Sequence, residues 1–303
     1  MMRYTLQQLR YFVAVAKYQN VTVASQKLFV SQPAISNAIN KLEQTFGTQL
    51  MIRHHARGIS LTSAGKKLVV EANNLLAHAE ELQGNAKAMG NQLAGSLNIG
   101  CFVSMAPIVI PSLIKQFNKH YPHVEFRISC NDVRSIQSKL IAGDIEMAIS
   151  YDLNLSDQLE RLEIWRSKPY VLVSAKHPLA NQKNISISQL KDKPMILFER
   201  PYSRDYFQTL HTSFGFMPNI RYRVDSFELV RSLVGSNLGY SILNQRPKTQ
   251  ECYNGSRLAY LPIKDTAHYL SIALIKIKGI QLTNKACAFW RFCQFELPSI
   301  LEG

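Results

Sequence analysis

Apolar residues along Asn20–Phe46 recur with the period of a helix, interrupted once by a short polar break. Val23, Ala24 and Leu28 share one face of Thr22–Leu28. Ile35, Ala38, Ile39, Leu42 and Phe46 make a stripe at i, i+3, i+4, i+7 and i+11 of Gln32–Phe46. Ser31 stands where an N-cap belongs, Pro33 falls in the first turn where a missing N–H costs nothing, and Gly47 follows as the stop. Thr5 can cap an earlier helix with Leu6, Leu9, Phe12, Val13 and Ala16 inward, so three helices close one small core. Leu50–Leu61 then reads as two extended runs around a basic tip of Arg53, His54, His55, Arg57 and Gly58.

Thr62 caps a long helix predicted to run to about Gln92. Leu68, Leu75, Leu82 and Met89 recur every seven residues, with Ala72, Ala79 and Ala86 three before the last three of them. That is an a/d seam with alanine at a and a large residue at d. One seam on a long helix needs a partner. The partner is either a second copy of the chain, which the sequence reading favours, or the chain's own body. Gly90, Gly95 and the polar residues between them read as a hinge.

From Ser96 the period alternates. Strands are expected at Leu97–Ile99, Val124–Ser129, Met147–Ser150, Tyr170–Ser174, Met195–Phe198, Ile220–Val224, Tyr240–Leu243 and Tyr269–Ile277. Helices are expected near Ala106–Asn118, Arg134–Ala142, Arg204–Phe214, Phe227–Ser236 and Asn284–Leu297. Strands separated by helices predict mostly parallel sheets. The stretches around Ile164–Lys168 and Lys264–His268 fit two crossings between two α/β lobes, with a small-molecule cleft at the carboxyl ends of their strands.

Charge sharpens the picture because it is uneven. Residues 1–67 hold nine Lys and Arg against Glu43 alone, a net +8 of the chain's +14. A small basic head on a more neutral body is the electrostatic footprint of polyanion binding. The outer face of Gln32–Phe46 offers Gln32, Pro33, Ser36, Asn37, Asn40 and Lys41, groups suited to base edges in a DNA major groove. An amphipathic helix with a solvated polar face would share this pattern. Apolar runs fall short of the roughly 20 residues that span a bilayer. With no secretory pattern at the N-terminus, a cytoplasmic protein is expected. Five dispersed cysteines give neither a disulfide framework nor zinc spacing. GxSxG, HExxH and phosphate-loop motifs are absent, so an enzyme is not expected. No cofactor is implied.

Several stretches together resemble the LysR-type transcriptional regulators over essentially the whole chain. They are Leu9–Phe12 (LRYF), VSQPAISNAINKLE at Val30–Glu43, Phe46-Gly47, Arg53…Arg57-Gly58…Leu61-Thr62…Ala64-Gly65, Ile99-Gly100, Phe117…Tyr121-Pro122, Gly143-Asp144…Glu146-Met147-Ala148-Ile149 and His177-Pro178-Leu179-Ala180. The SQPAxS core followed by LTxAG is the specific part. The resemblance implies an α/β protein with an N-terminal all-α winged helix-turn-helix domain and a C-terminal two-lobed periplasmic-binding-protein-like α/β domain. The expected division is a DNA-binding domain over 1–61, a dimerisation helix over 62–92 and an effector-binding domain over 93–303. Lobe I would take about 96–164 and 268–303, and lobe II about 165–267. Implied partners are double-stranded promoter DNA, a small-molecule effector, a second copy in a homodimer or homotetramer, and RNA polymerase.

Carried over by position, Gln32, Pro33 and Ser36 match base-reading or methyl-packing residues, Ser31 a phosphate contact, and Arg53 and Arg57 the wing. Asn37 departs from the arginine many relatives have there, and Asn40 is uncharged as well. Adenine-directed amide contacts are therefore expected rather than arginine–guanine pairs. The family's cleft is lined by loops after strands, which here offer Cys101, Phe102, Val103, Ser104, Asn131, Asp132, Tyr151 and Asp152 from one lobe. The other offers Phe198, Glu199, Arg200, Tyr202, Ser203, Asp225, Phe227 and Asn244. Ser104 precedes a helix whose N-terminus suits a carboxylate. Asp132, Asp152, Glu199, Asp225 and Glu228 instead suit an amine, so an organic acid or an amine is expected. A redox sensor using Cys101 is the alternative within the same fold.

Overall fold

The hydroxyl of Thr5 accepts from the Gln8 amide, and the Gln8 side chain accepts from the Thr5 N–H, so α1 (Leu6–Tyr18) begins with a reciprocal cap. Asn20 caps α2 (Val21–Leu28) and Ser31 caps α3 (Gln32–Phe46), which stops at Gly47 in the left-handed region. The structure, a computed structural model, describes residues 3–54, 58–87, 93–202, 206, 207, 209, 210, 212, 215–264 and 268–302. The expectations for Arg57, Met89 and Ser203 lie outside the described residues, as does the side chain of Ala86.

Leu9, Phe12, Val15, Ala24, Ile35, Ile39, Leu42 and Leu50 form the buried core of the head. β1 (Met51–His54) and β2 (Gly58–Leu61) pair antiparallel as the expected hairpin. Thr62 accepts from the Gly65 amide and opens α4 (Ser63–Lys87). A Cβ at Gly65 would lie 2.0 Å from the Leu50 carbonyl oxygen, so this turn of the LTxAG stretch admits only glycine.

The body has two lobes. In lobe I, β3 (Ala94–Phe102), β4 (His123–Asn131), β5 (Met147–Tyr151), β6 (Leu159–Ser167) and β12 (Leu270–Ile277) lie in the order β4-β3-β5-β12-β6. Their helices are α5 (Ala106–His120), α6 (Val133–Ala142) and α8 (Asn284–Glu302). In lobe II, β7 (Tyr170–Ser174) lies between β10 (Ser241–Leu243) and β11 (Leu258–Pro262). β8 (Pro194–Phe198) pairs with β9 (Asn219–Val224), and a Met195–Tyr240 bridge joins the two groups. α7 (Phe227–Gly235) packs against β7 and β8. The chain crosses between lobes after β6 and after β11, close to the expected places.

The sheets are mixed, which corrects the mostly parallel expectation. β12 runs antiparallel to β5 and β6, and β7 antiparallel to both neighbours. Strands that arrive from the other lobe need no helical crossover, so nothing constrains them to run parallel. β6 and β11 are additional strands. β6 sits at the sheet edge with Arg161, Glu163 and Arg166 facing water, a charge density that reads as a linker. The helix expected at Arg204–Phe214 lies partly outside the described residues. Phe207 and Leu210 of that stretch are buried in lobe II.

Head, α4 and lobe I meet directly. Asn73 of α4 donates to the Ala142 carbonyl, and Lys17 of α1 reaches Asp144 at 3.0 Å. Glu81, buried on α4, accepts from the Asn284 and Lys285 amides and so caps α8. Among the described residues no helix is long and apolar enough to cross a membrane.

Candidate nucleic-acid interface and ligand cleft

α3 buries Ile35, Ile39 and Leu42 and leaves Ser31, Gln32, Pro33, Asn37, Asn40 and Lys41 exposed, with Ser36 half-buried. The expected polar set is therefore one continuous outer face. Arg53 of the hairpin donates to Asn40 Oδ1 at 2.9 Å. This contact spans thirteen residues, so no spacing rule shows it, and it divides two amides that look equivalent in sequence. Asn40 has one of the two lone pairs of its Oδ1 taken by Arg53, which restrains its amide, whereas Asn37 is exposed with no such contact among the described residues. Bidentate pairing with adenine needs a donor and an acceptor on one side chain. Glu43, the one acid of the head, accepts from the Leu50 and Met51 amides. Its carboxylate holds the chain into the hairpin and is not spread across the polar face.

The α4 seam divides as well. Ala72 is buried in the head core and Leu68 packs against it, while Leu75 is 39% and Leu82 74% exposed with Ala79 half-buried between them.

Between the lobes, Phe102, Ser104, Tyr151, Phe198, Phe227 and Asn244 converge on one small cavity of about 20 Å³. Leu243, Gln245, Leu270, Tyr206 and Phe207 complete it. Gln245 is the residue after the loop position the sequence reading chose. Tyr206 and Phe207 fell inside an expected helix rather than a loop, and nothing in the pattern marked them. The other expected residues are elsewhere. Val103 lines a neighbouring groove of about 840 Å³ with Ser104, Arg200, Phe227 and Arg231. Tyr202 is half-buried with φ 67° and packs at the rim of the core.

Four of the five acids expected to attract an amine serve the fold. Asp132 caps α6 through the Ser135 amide and hydroxyl, and Asp152 pairs with Arg161 at 2.6 Å. Glu228 pairs with the buried Arg231, and Glu199 with Arg223. Asp225 is exposed, with its carbonyl accepting from Arg200 Nε. Asn131 accepts from Ser129 and Lys139. The carboxylate expectation loses donors too. At the start of α5 the Met105 amide bonds the Phe102 carbonyl, Pro107 has no N–H, and the Ile108 amide bonds the Met105 carbonyl. Among the described residues no charged side chain lines the small cavity.

The polar groups at its wall are specific. Asn244 Nδ2 donates to the Ser167 carbonyl at 3.1 Å and to Tyr206 Oη at 3.0 Å. A carbonyl only accepts, so the amide orientation is fixed and Oδ1 faces away. That Oδ1 is buried without a hydrogen-bond partner, a deficit of about 1–3 kcal/mol. Gln245 Nε2 donates to Tyr151 Oη at 2.8 Å. Both phenol oxygens thus accept, leaving their hydrogens available. Burial raises the Tyr151 hydroxyl well above its ordinary value and pushes Tyr206 up to about 12, so both stay protonated donors at neutral pH.

Cys101 is buried in lobe I, and burial, with Cys130 and Cys293 nearby, raises its thiol well above the ordinary value. A thiol held that way is a poor nucleophile. Among the described residues no cluster of three His, Cys, Asp or Glu could hold a metal ion.

Residues 6–66 match the family described as "Bacterial regulatory helix-turn-helix protein, lysR family", and residues 90–297 match "LysR substrate binding domain". The HTH-type transcriptional regulator CysB of Haemophilus influenzae is 30% identical over 244 residues, 78% of this chain and 75% of that protein. The crystal structure of HinK, a LysR family transcriptional regulator from Pseudomonas aeruginosa, is 34% identical with a TM-score of 0.65, covering 97% of this chain and 99% of that one. A full-length OxyR variant from Pseudomonas aeruginosa shares the fold at a TM-score of 0.75 and 24% identity, covering 100% of this chain and 98% of its own.

Proposed function

Because this chain belongs to the LysR family of transcriptional regulators, we propose that it reads its operator through α3 and the hairpin and answers an effector held between its lobes. Residues 1–61 act as the DNA-binding head, 62–92 as the dimerisation helix, and 93–303 as the effector-binding domain. The observation that carries this reading is the outer face of α3, where Gln32, Pro33, Asn37, Asn40 and Lys41 stand exposed beside Arg53. Gln32, Ser36 and Asn37 read bases, Ser31 and Arg53 hold phosphates, and Asn40 donates one hydrogen bond from a side chain steadied by Arg53.

Leu75, Ala79 and Leu82 form the pairing face of α4, so the working unit is a homodimer, or a homotetramer built from two, placing two heads on a two-fold symmetric site. The protein works in the cytoplasm, at promoters where RNA polymerase is its further partner. It performs no catalysis. The test is a mobility shift with DNA selected from a random pool. The Gln32→Ala protein keeps salt-dependent binding to any duplex and loses its preference for the selected sequence. Unchanged preference would overturn the assignment of α3.

A further inference from the structure

The cleft between the lobes pairs one orphaned acceptor with two free phenol hydrogens inside an aromatic box. Phe102 and Tyr151 of lobe I meet edge-to-face at 5.0 Å, and Phe198 and Phe227 of lobe II do so at 6.1 Å. A flat ring entering between these pairs would find edge and face partners from both lobes. Asn244, 9% exposed and with its Oδ1 buried without a partner, lines the same cavity. It calls for a donor. The Tyr206 and Tyr151 hydroxyls, each already accepting from an amide, call for an acceptor.

Among the described residues that line the cavity none is charged, Asp132 and Asp152 are engaged in a cap and an ion pair, and the first turn of α5 has spent most of its amides, so a charge on the buried part of a ligand would find no counter-charge there. We propose that the buried part of the effector is an uncharged aromatic ring whose edge carries one hydrogen-bond donor and one acceptor, as in a phenol or an azole. The donor goes to Asn244 Oδ1 and the acceptor receives Tyr206 or Tyr151. This inference rests on the reading of the cleft as the effector site. A cavity of about 20 Å³ has room for about one water, so the ring enters as the lobes part. A substituent on it can extend into the groove of about 840 Å³ that shares Ser104 and Phe227 with the cavity.

Binding of phenol, toluene and benzoate to the full chain, each followed by calorimetric titration, tests the ring. Phenol is expected to bind about tenfold or more tighter than toluene, the effect of satisfying a buried acceptor, and benzoate to bind more weakly than either. Tyr206→Phe, which keeps the ring in place, should lower phenol affinity several-fold. Asn244→Leu should narrow the gap between phenol and toluene. Toluene or benzoate binding as well as phenol in the unaltered protein would overturn the proposal, as would phenol binding that both variants leave unchanged. A Ser104→Trp protein, its cavity filled, tests the cleft separately. If its operator footprint changes while phenol fails to bind the unaltered protein, the ring class falls and the cleft reading stands. If the footprint is also unchanged, both fall.

Discussion

Asn37 and Asn40 sit one helical turn apart on the same face, and Arg53 gives them different capacities. With one lone pair of its Oδ1 taken by Arg53, Asn40 is less free to turn its amide to a base than Asn37, which offers donor and acceptor together. Asn37→Ala should therefore cost about 1–3 kcal/mol of discrimination at one A·T pair, read by competition among single-base operator variants. Asn40→Ala should cost less at any one position. The reverse order would mean that Arg53 leaves Asn40 when DNA arrives. Cysteine chemistry can be read at the same scale. Cys130 is exposed on β4 beside buried Cys101, its register partner on β3. Iodoacetamide on the folded protein should label Cys130 and spare Cys101, Cys252 and Cys293, as peptide mass mapping would report. Rapid labelling of Cys101 would revive the redox alternative. Side-chain types were legible from the sequence, and their partners were not. Asp132 looked like a cleft charge, yet its place before α6 makes it a cap, because the Asx side chain competes for the first amides of a helix.

At the scale of elements, α4 shows what a seven-residue repeat does and does not encode. The period gives a stripe, and a stripe needs cover, but nothing in the period says whose surface supplies it. In the folded chain Leu68 and Ala72 face the head, and Leu75, Ala79 and Leu82 remain outward. The chain's own body thus covers part of the helix, and the remaining part is the face proposed for a second copy. Leu82→Glu should turn dimers into monomers by light scattering while the melting temperature of the isolated subunit changes little, since exposed positions tolerate substitution within about 0.5 kcal/mol. A mutant still dimeric would move the pairing face elsewhere. Helix caps, the hairpin and the βα units were legible because each has a local signature. The direction of β12 and the edge strand β6 were not, because strand pairing is decided by residues about a hundred positions away: Ile272 sits opposite Trp165 and Tyr151.

Over the whole molecule, the head is tied to lobe I through α4, and the tie is a buried polar cluster rather than a hydrophobic seam. Glu81 and Lys285 are 4% and 2% exposed and stand 3.9 Å apart, with His78 at 3.8 Å from the same carboxylate. Thr283, one residue before α8, donates to Glu146 at 2.6 Å. A cavity of about 360 Å³ opens beside them, with Lys17, Arg127, Asp144 and Glu80 on its walls. Burial raises the Glu146 carboxyl above its ordinary 4.5, ahead of the lowering effects of Thr283 and Lys285. A raised carboxyl is bound to its proton more tightly in the folded state, so the stability it contributes is present in acid and is lost as pH rises through the folded value. Glu146→Gln should remove that loss, flattening the fall in melting temperature from about pH 4.5 upward. A parallel curve would mean that Glu146 does not carry the pH dependence. On the proposed reading a change in the cleft would reach DNA through this cluster: α8 and β5 belong to lobe I, and Glu81 fastens α4 to the start of α8. Glu81→Ala leaves Lys285 buried with Glu146 to offset it, at a cost on the order of 3 kcal/mol, and releases α4 from the start of α8 while the Asn73–Ala142 contact remains. That protein should still fold and bind operator, with ligand in the cleft no longer changing the affinity. If operator binding still tracks the ligand in the mobility shift, the signal passes through the Lys17–Asp144 and Asn73–Ala142 contacts of the same junction.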